Sequence, residues 1–412
     1  MKTKGFTTSI LHSDRFGGVE HGSLHKPVHN SITFAHASAA DIAAVFQGKQ
    51  PGFSYGRQVN PTTIALEKKL SLMEDGLATC CFATGMAAIS STFLSLLKAG
   101  DHLVSSGFLF GNTNSVFNTL KNFGIEVTFV DATEVANVAA ALQPNTRAVF
   151  VETVANPCTQ IADLTGIGTL CAERGLLYVV DNTMTSPWSF RPKTVGAGLV
   201  INSLSKHIGG HGNALGGSVT ETGVFDWTRF PNLIEAYKTG PASNWGLTQI
   251  KKKGLRDMGA TLAPESAHHI AIGAETLPLR QARTAENAAR LAAWFAAHPA
   301  IAKVFHPSLA SHPQHARAQA LFRHFGSLMA IELKPEVDVF KFLDALELVI
   351  LASNLGDNRT LAIPVAHTIY AEMGPVRRAE MGIADGTVRL SIGIEDGDDL
   401  IADFEQALAK AG

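Results

Sequence analysis

The sequence predicts an α/β fold: a parallel-rich central sheet with helices on both faces, followed by a smaller C-terminal α/β domain. Three observations carry this. Short apolar runs recur through the first half, at His102-Leu103-Val104, Val127-Thr128-Phe129-Val130, Ala148-Val149-Phe150-Val151, Leu177-Tyr178-Val179-Val180 and Leu199-Val200-Ile201. Helix-length segments separate them, at Val116 to Phe123, Val135 to Leu142 and Leu164 to Arg174, and strands joined by such crossovers lie parallel in one sheet. The last three runs each end in polar residues, Glu152, Asp181 and Asn202-Ser203; in a parallel sheet those ends share the edge at which ligands bind.

The remaining elements follow in chain order. Residues 1–60 show little periodicity and many turn residues, and are expected to form an irregular arm. Ile64, Leu66, Leu70, Leu72 and Met73 mark a first helix, and Met86 to Leu97 a second. Phe225 to Lys253 carries Trp227, Pro231, Pro241 and Trp245 without alternation, which suggests an irregular excursion near a subunit boundary. One long helical region is expected from Ala263 to Phe295, then strands at Leu328 to Leu333 and Thr387 to Ile394 with helices at Val339 to Leu348 and Asp399 to Ala409. The expected division is an arm over 1–60, a ligand-binding domain over 61–258 and a C-terminal domain over 259–412.

Composition bounds the function. The chain has 412 residues, enough for two domains with a shared core, and is 46% hydrophobic and 17% charged. A formal net charge of -2 argues against a nucleic-acid surface. No apolar run approaches the ~20 residues of a membrane span, and the N-terminus lacks a signal-peptide core. Four cysteines without motif spacing read as reduced thiols. A cytoplasmic location is expected.

The chemistry centres on Asn202-Ser203-Leu204-Ser205-Lys206-His207-Ile208-Gly209-Gly210-His211-Gly212, with Asp181-Asn182-Thr183 upstream. A lysine among small hydroxyls and glycines, just after an apolar run, can form a Schiff base with a carbonyl while the hydroxyls and amides hold an anion. An Asp ending another run can hold a protonated ring nitrogen. Together these are the parts that hold pyridoxal phosphate (PLP); taken singly, Lys206 could equally be a snorkelling surface lysine and Asp181 a cap. Thr84-Gly85-Met86 opens an apolar helix, where backbone N–H groups favour an anion, or where Thr84 simply caps. His207 and His211 have metal-pair spacing, but the glycines between them and the lack of a third ligand argue against a metal. His306, His312 and His315 lie in a Pro-containing loop and are expected to be solvated. Arg57, in the polar arm, reads as a surface residue on spacing alone. Arg389, inside the run Val388 to Ile392, needs an anionic partner: a substrate carboxylate or a structural salt bridge.

From about Pro27 to the C-terminus these segments resemble the Cys/Met-metabolism family of PLP-dependent enzymes, the group of cystathionine γ-synthase, cystathionine γ-lyase, methionine γ-lyase and O-acetylhomoserine sulfhydrylase. Tyr55-Gly56-Arg57 with Asn60-Pro61-Thr62 is similar to that family's Tyr-x-Arg and Asn-Pro-Thr, and Gly85-Met86 to its phosphate loop. Glu152 with Asn156-Pro157, Asp181 with Thr183, and Ser203-Leu204-Ser205-Lys206 match in the same order. The resemblance implies the aspartate-aminotransferase fold (fold type I), with Lys206 as the Schiff-base lysine and Asp181 on the pyridinium nitrogen beside Thr183. It places Asn156 near the ring hydroxyl, and Gly85, Met86, Ser203 and Ser205 at the phosphate. Tyr55 and Arg57 reach the phosphate from a neighbouring subunit, within a homotetramer built as a dimer of dimers. Arg389 binds the substrate carboxylate and Asn354 lies in the neighbouring loop, where Asn is closer to the sulfhydrylases.

The departures bear on specificity. Leu109-Phe110-Gly111-Asn112-Thr113 aligns with the family's Leu-Tyr-Gly-Gly-Thr, whose tyrosine stacks on the cofactor and is assigned proton transfer to the leaving group. Phe110 stacks but cannot donate a proton. Asn112 stands where methionine γ-lyase has cysteine, and Ile363 to His367 departs from the family's His-Pro-Ala run. The expectation is γ-elimination, with possible replacement by water or thiol, on a homoserine-type amino acid with a heteroatom leaving group such as canavanine. The alternatives are O-acetylhomoserine sulfhydrylase or cystathionine γ-synthase, a non-catalytic PLP-binding relative, and a nucleotide-binding α/β protein, which lacks the G-x-G-x-x-G turn.

Overall fold

The computed structural model describes residues 4–15, 18 and 20–412. Two sheets organise the chain. The first holds β1 (Ala78–Phe82), β2 (His102–Ser106), β3 (Glu126–Val130), β4 (Thr146–Glu152), β5 (Leu177–Asp181), β6 (Leu199–Ser203) and β7 (Gly217–Glu221) in the order β1-β7-β6-β5-β4-β2-β3. β2 to β6 run parallel, and β7 is antiparallel to both its neighbours. The second holds β8 (Ile301–Phe305), β9 (Leu328–Leu333), β10 (Ile350–Leu351), β11 (Leu361–Pro364) and β12 (Thr387–Ser391) in the order β10-β11-β12-β9-β8.

All five strands expected around residues 102–201 form. They are covered on both faces: Val149, Val151 and Val180 pack one side, and Phe93, Phe117 and Phe150 pack edge-on to one another on the other. β1 and β7 escape the sequence pattern because polar residues interrupt their apolar runs. Thr79, Ser218, Thr220 and Glu221 are buried, and Thr79 meets Thr220 across the strands at 2.9 Å.

Three helices set the site. α1 (Phe6–Leu11) and α2 (Ala39–Phe46) give the arm more order than expected, while α3 (Pro61–Glu74) is capped by Asn60, whose side chain accepts from Thr62 and Thr63. α4 (Gly85–Leu96) follows β1 and is capped by Thr84 through the Ala87 N–H at 3.0 Å. α5 (Gly111–Leu120) begins just after Phe110.

Some expectations are corrected. The long helix from Ala263 is two, Pro264–Glu275 and Leu277–Ala297, broken at Thr276; Pro278 has no N–H for the Ala274 carbonyl and its ring blocks that turn. The Phe225 to Lys253 excursion contains three short 3₁₀ turns, a helix at Trp245–Gln249 and the start of a π-helix at Ile250–Asp257. The histidine loop is not solvated: His306 is 0% and His312 8% exposed. His306 Nδ1 lies 2.7 Å from Ser308 Oγ, His312 Nε2 lies 3.2 Å from Thr159 Oγ1, and burial holds both rings neutral, at about 4. His315 is half-buried and stacks on Phe325.

Glu74, at the end of α3, carries a testable energetic consequence. Its Oε1 accepts from Asn182 Nδ2 at 3.1 Å and Asn202 Nδ2 at 2.7 Å, so one carboxylate ties α3 to the ends of β5 and β6. Burial pushes its pKa up to about 7, against those two amides. A carboxyl raised on folding contributes fully below its unfolded value near 4.5, and that contribution is lost as pH rises through the folded value. Glu74→Gln therefore gains stability relative to the parent between pH ~4.5 and ~7, by at most about 3 kcal/mol. Urea unfolding of both cofactor-free proteins at several pH values checks this; parallel curves contradict it.

Candidate active site

The carboxyl edge of the parallel sheet collects the polar strand ends. Pairing aligns Glu152 with Asp181 and Asp181 with Ile201. Both carboxyls are buried, and burial raises both pKa values. Asp181 receives the Thr183 N–H at 2.9 Å, which favours its ionised form. The Asp181 charge in turn pushes Glu152 further up, so Glu152 is the member that keeps its proton. Glu152 Oε1 accepts the Phe110 N–H at 2.8 Å, fixing the residue whose ring stands 36% exposed.

One strand over, Thr183 Oγ1 accepts the Ser203 N–H at 2.8 Å. Gly85 is required here: a Cβ on it would sit 2.8 Å from Ser203 Cβ, so only glycine lets the N-terminus of α4, with its free N–H groups, face Ser203. Met86 follows on the same turn and meets Thr113 through its sulfur. The Ser205 hydroxyl accepts the Gly216 N–H at 2.9 Å and lies 3.3 Å from the Gly216 carbonyl.

Lys206 lies in the turn after β6. Arg280 donates to the carbonyls of His207, Ile208 and Gly273 and so pins this turn. A Cβ on Gly210, at φ +72°, would strike that guanidinium, which accounts for a glycine there. Lys206 Nζ donates to Asn354 Oδ1 at 2.7 Å. Burial and then the Arg389 charge bring its pKa down to about 8, so far more of the amine is free base near neutrality than in an ordinary lysine. Arg389, in the centre of β12 and 2% exposed, donates through Nη2 to the carbonyls of Ser353 (2.7 Å) and Asn354 (3.0 Å). It has no carboxylate partner among the described residues, and its Nε is buried without a hydrogen bond. Of its two expected partners, the structural salt bridge is therefore absent there.

Asn156 Oδ1 is likewise buried and unpartnered, while its main-chain oxygen accepts the Tyr370 hydroxyl at 2.5 Å. Tyr370 is a contributor that sequence reasoning missed; the only signal was the departure at Ile363 to His367, three residues before it. Tyr55 and Arg57 lie elsewhere. Arg57 stacks over the Tyr55 ring at 5.5 Å, donates to the Arg256 carbonyl and receives Thr261 Oγ1. Neither makes a hydrogen bond to Asp181, Ser203 or Lys206 among the described residues.

His207 is buried, with Nε2 unpartnered, and burial takes its pKa down to about 3. The ligand atoms of Asp14, His25 and Glu275 cluster in the manner of a metal site. However, Lys69 Nζ sits 3.7 Å from Asp14 and 3.0 Å from Glu275 and already offers both carboxylates a cationic partner.

This geometry can be set against known proteins. The family model for Cys/Met metabolism PLP-dependent enzymes matches residues 7–409. The chain belongs to this family. An L-methionine gamma-lyase of Fusobacterium nucleatum subsp. polymorphum is 37% identical over 100% of both chains. A sulfhydrylase, FUB7, of Fusarium oxysporum f. sp. lycopersici is 36% identical over 99% of this chain and 98% of its own. The crystal structure of a Campylobacter jejuni protein carrying N'-pyridoxyl-lysine-5'-monophosphate superposes with a TM-score of 0.93 at 30% identity, covering 98% of this chain and 100% of that one. The protein is thus a PLP-dependent enzyme of the α/β fold shared by this family. The site fits the cofactor: an unpartnered Asn156 amide, a glycine-opened helix N-terminus beside Ser203, a buried Asp181 and an amine poised near neutrality. No helix among the described residues is long and apolar enough to cross a membrane.

Proposed function

We propose that the enzyme catalyses γ-elimination, with replacement by water or thiol as a companion outcome, on a homoserine-type amino acid bearing a heteroatom leaving group, canavanine being the specific candidate. The observation that carries this is Phe110: at the residue anchored on Glu152, the side chain can stack but has no proton to give. A substrate that departs from such a site brings its own proton, as a guanidinooxy cation does, or leaves as a stable anion.

PLP, when bound, supplies the electron sink; the chain supplies the rest. Lys206 would hold the cofactor covalently, and its Nζ would serve as the base for the α-proton and then the β-proton. Asp181 keeps the ring nitrogen protonated, with Thr183 fixing the carboxylate. Arg389 takes the α-carboxylate, and Asn354 holds the Lys206 amine. Gly85, Met86, Ser203 and Ser205 would hold the phosphate, and Asn156 would face the ring hydroxyl. Tyr55 and Arg57 complete the phosphate site of a second copy in a tetramer built as a dimer of dimers, which light scattering measures.

A second reading is O-acetylhomoserine sulfhydrylase, where acetate needs little acid help; the relative FUB7 and the Asn354 loop favour it. Cystathionine γ-synthase chemistry follows the same logic with another thiol. Assays with canavanine, methionine and O-acetylhomoserine plus sulfide decide. Efficient sulfide addition with no canavanine turnover would remove the first reading. Phe110→Tyr restores a phenol and is expected to raise methionine turnover roughly 10- to 100-fold while leaving canavanine within about threefold. Equal effects on both would show that position 110 does not govern leaving-group protonation.

A further inference from the structure

Tyr370 stands outside every role assigned above, yet it lies where the two sheets' contributions meet. It follows β11 after a tight turn, its N–H bonding the Val365 carbonyl at 3.1 Å. Its ring packs with Cys158, Ala330, Ile363, Val365 and Met381 and is 1% exposed. The hydroxyl does not end in that apolar cluster: it crosses to the Asn156 carbonyl at 2.5 Å. Arg389 is paired across the sheet with Ile363 and Ala330 of that cluster, and burial pushes the phenol's ionisation up, so it stays a neutral donor. Next to it, the Ile369 carbonyl sits 3.7 Å from where a Cβ on Gly111 would be, directly after Phe110. One side chain therefore touches the loop carrying the unpartnered Asn156 Oδ1 and packs in the cluster of Ile363 and Ala330, the cross-strand neighbours of the arginine with the unpartnered Nε.

We propose that Tyr370 is a positioning residue that sets Asn156 and Arg389 relative to one another, coupling capture of the substrate carboxylate to the seating of the cofactor ring. The inference rests on the function proposed above. Tyr370→Phe keeps the ring and the packing and removes only the hydroxyl that holds the Asn156 carbonyl. Losing one such hydrogen bond corresponds to a three- to tenfold effect.

The test compares the PLP-loaded parent and Y370F. The expected result is a three- to tenfold rise in KM for the best substrate of the panel with kcat within about twofold, and a three- to tenfold weaker PLP dissociation constant by equilibrium dialysis. The pH midpoint of the bound cofactor's absorbance change is expected to shift, because Asn156 then meets the ring hydroxyl less firmly. The rise in KM is also expected to shrink in an Arg389→Lys background, as residues acting through one another are non-additive. Y370F with parental KM, dissociation constant and absorbance midpoint overturns the proposal, whatever its melting temperature. Should Y370F fail to fold, Y370M keeps buried bulk without a hydroxyl and is read by the same three quantities. A parent that binds PLP and turns over the panel while Y370F is unchanged removes the Tyr370 role alone; a parent that binds no PLP removes the reading beneath it.

Discussion

Lys206→Ala is expected to lower kcat by roughly 10⁴-fold or more while the protein still folds. On the proposed function the residue would combine two roles that no neighbour can assume: covalent anchor of the cofactor and base for two proton removals. Near it, Arg389 is a permanent cation and Asn354 an amide, so neither accepts a proton at neutral pH. The variant also loses the cofactor label that borohydride reduction fixes to the chain, which mass spectrometry of the Lys206 peptide reads. Stability moves the other way. A lysine whose pKa falls from 10.5 to about 8 on burial costs the fold stability as pH drops through that window, and the cost is constant below it. Cofactor-free K206A should therefore match or exceed the parent's thermal midpoint at pH 7, its advantage shrinking between pH 8 and 10.5. Retained turnover in K206A would sink the assignment of the base.

How much of this was legible depends on where the physical signal sits. Leu177 to Val180 is buried on both faces, so its apolar run is continuous and the Asp181 that ends it stands out in the sequence. The same holds for Glu152 and for Ser203. β1 and β7 were hidden because Thr79 and Thr220 bond to each other inside the sheet and Ser218 and Glu221 are buried beside them, which interrupts the apolar runs. Glu74 was hidden too: its partners Asn182 and Asn202 are 108 and 128 residues away, and only the folded chain shows that all three share one proton-linked knot. The histidine loop failed for a related reason, since a Pro-containing polar stretch reads as solvated whether or not a distant partner such as Thr159 waits beneath it. Lys206 and Asn354 were each singled out, but their hydrogen bond across 148 positions is tertiary information. So is the contact between Tyr370 and Asn156.

Arg389→Lys is expected to raise KM about 100-fold with a much smaller effect on kcat, and Arg389→Ala to raise it further. The reason lies in the arginine's unusual isolation. It is buried at the centre of a strand with no carboxylate partner among the described residues, and burial lowers its pKa only to about 10, so it enters catalysis as an uncompensated cation. Carbonyls of Ser353 and Asn354 orient one nitrogen without neutralising it, and Nε is left open. On the proposed function a substrate α-carboxylate would supply the missing charge, and truncating one partner of such a buried pair costs about 2–5 kcal/mol. Lysine keeps the charge but not the planar fork, so it recovers only part of that interaction. An amine analogue lacking the carboxylate separates this from damage to the fold: its weak binding should be nearly the same in parent and R389K. Were the analogue to lose as much affinity as the amino acid, Arg389 would be shaping the cleft through the Ser353-Asn354 loop instead of gripping the substrate. That outcome would move the carboxylate site to another cation.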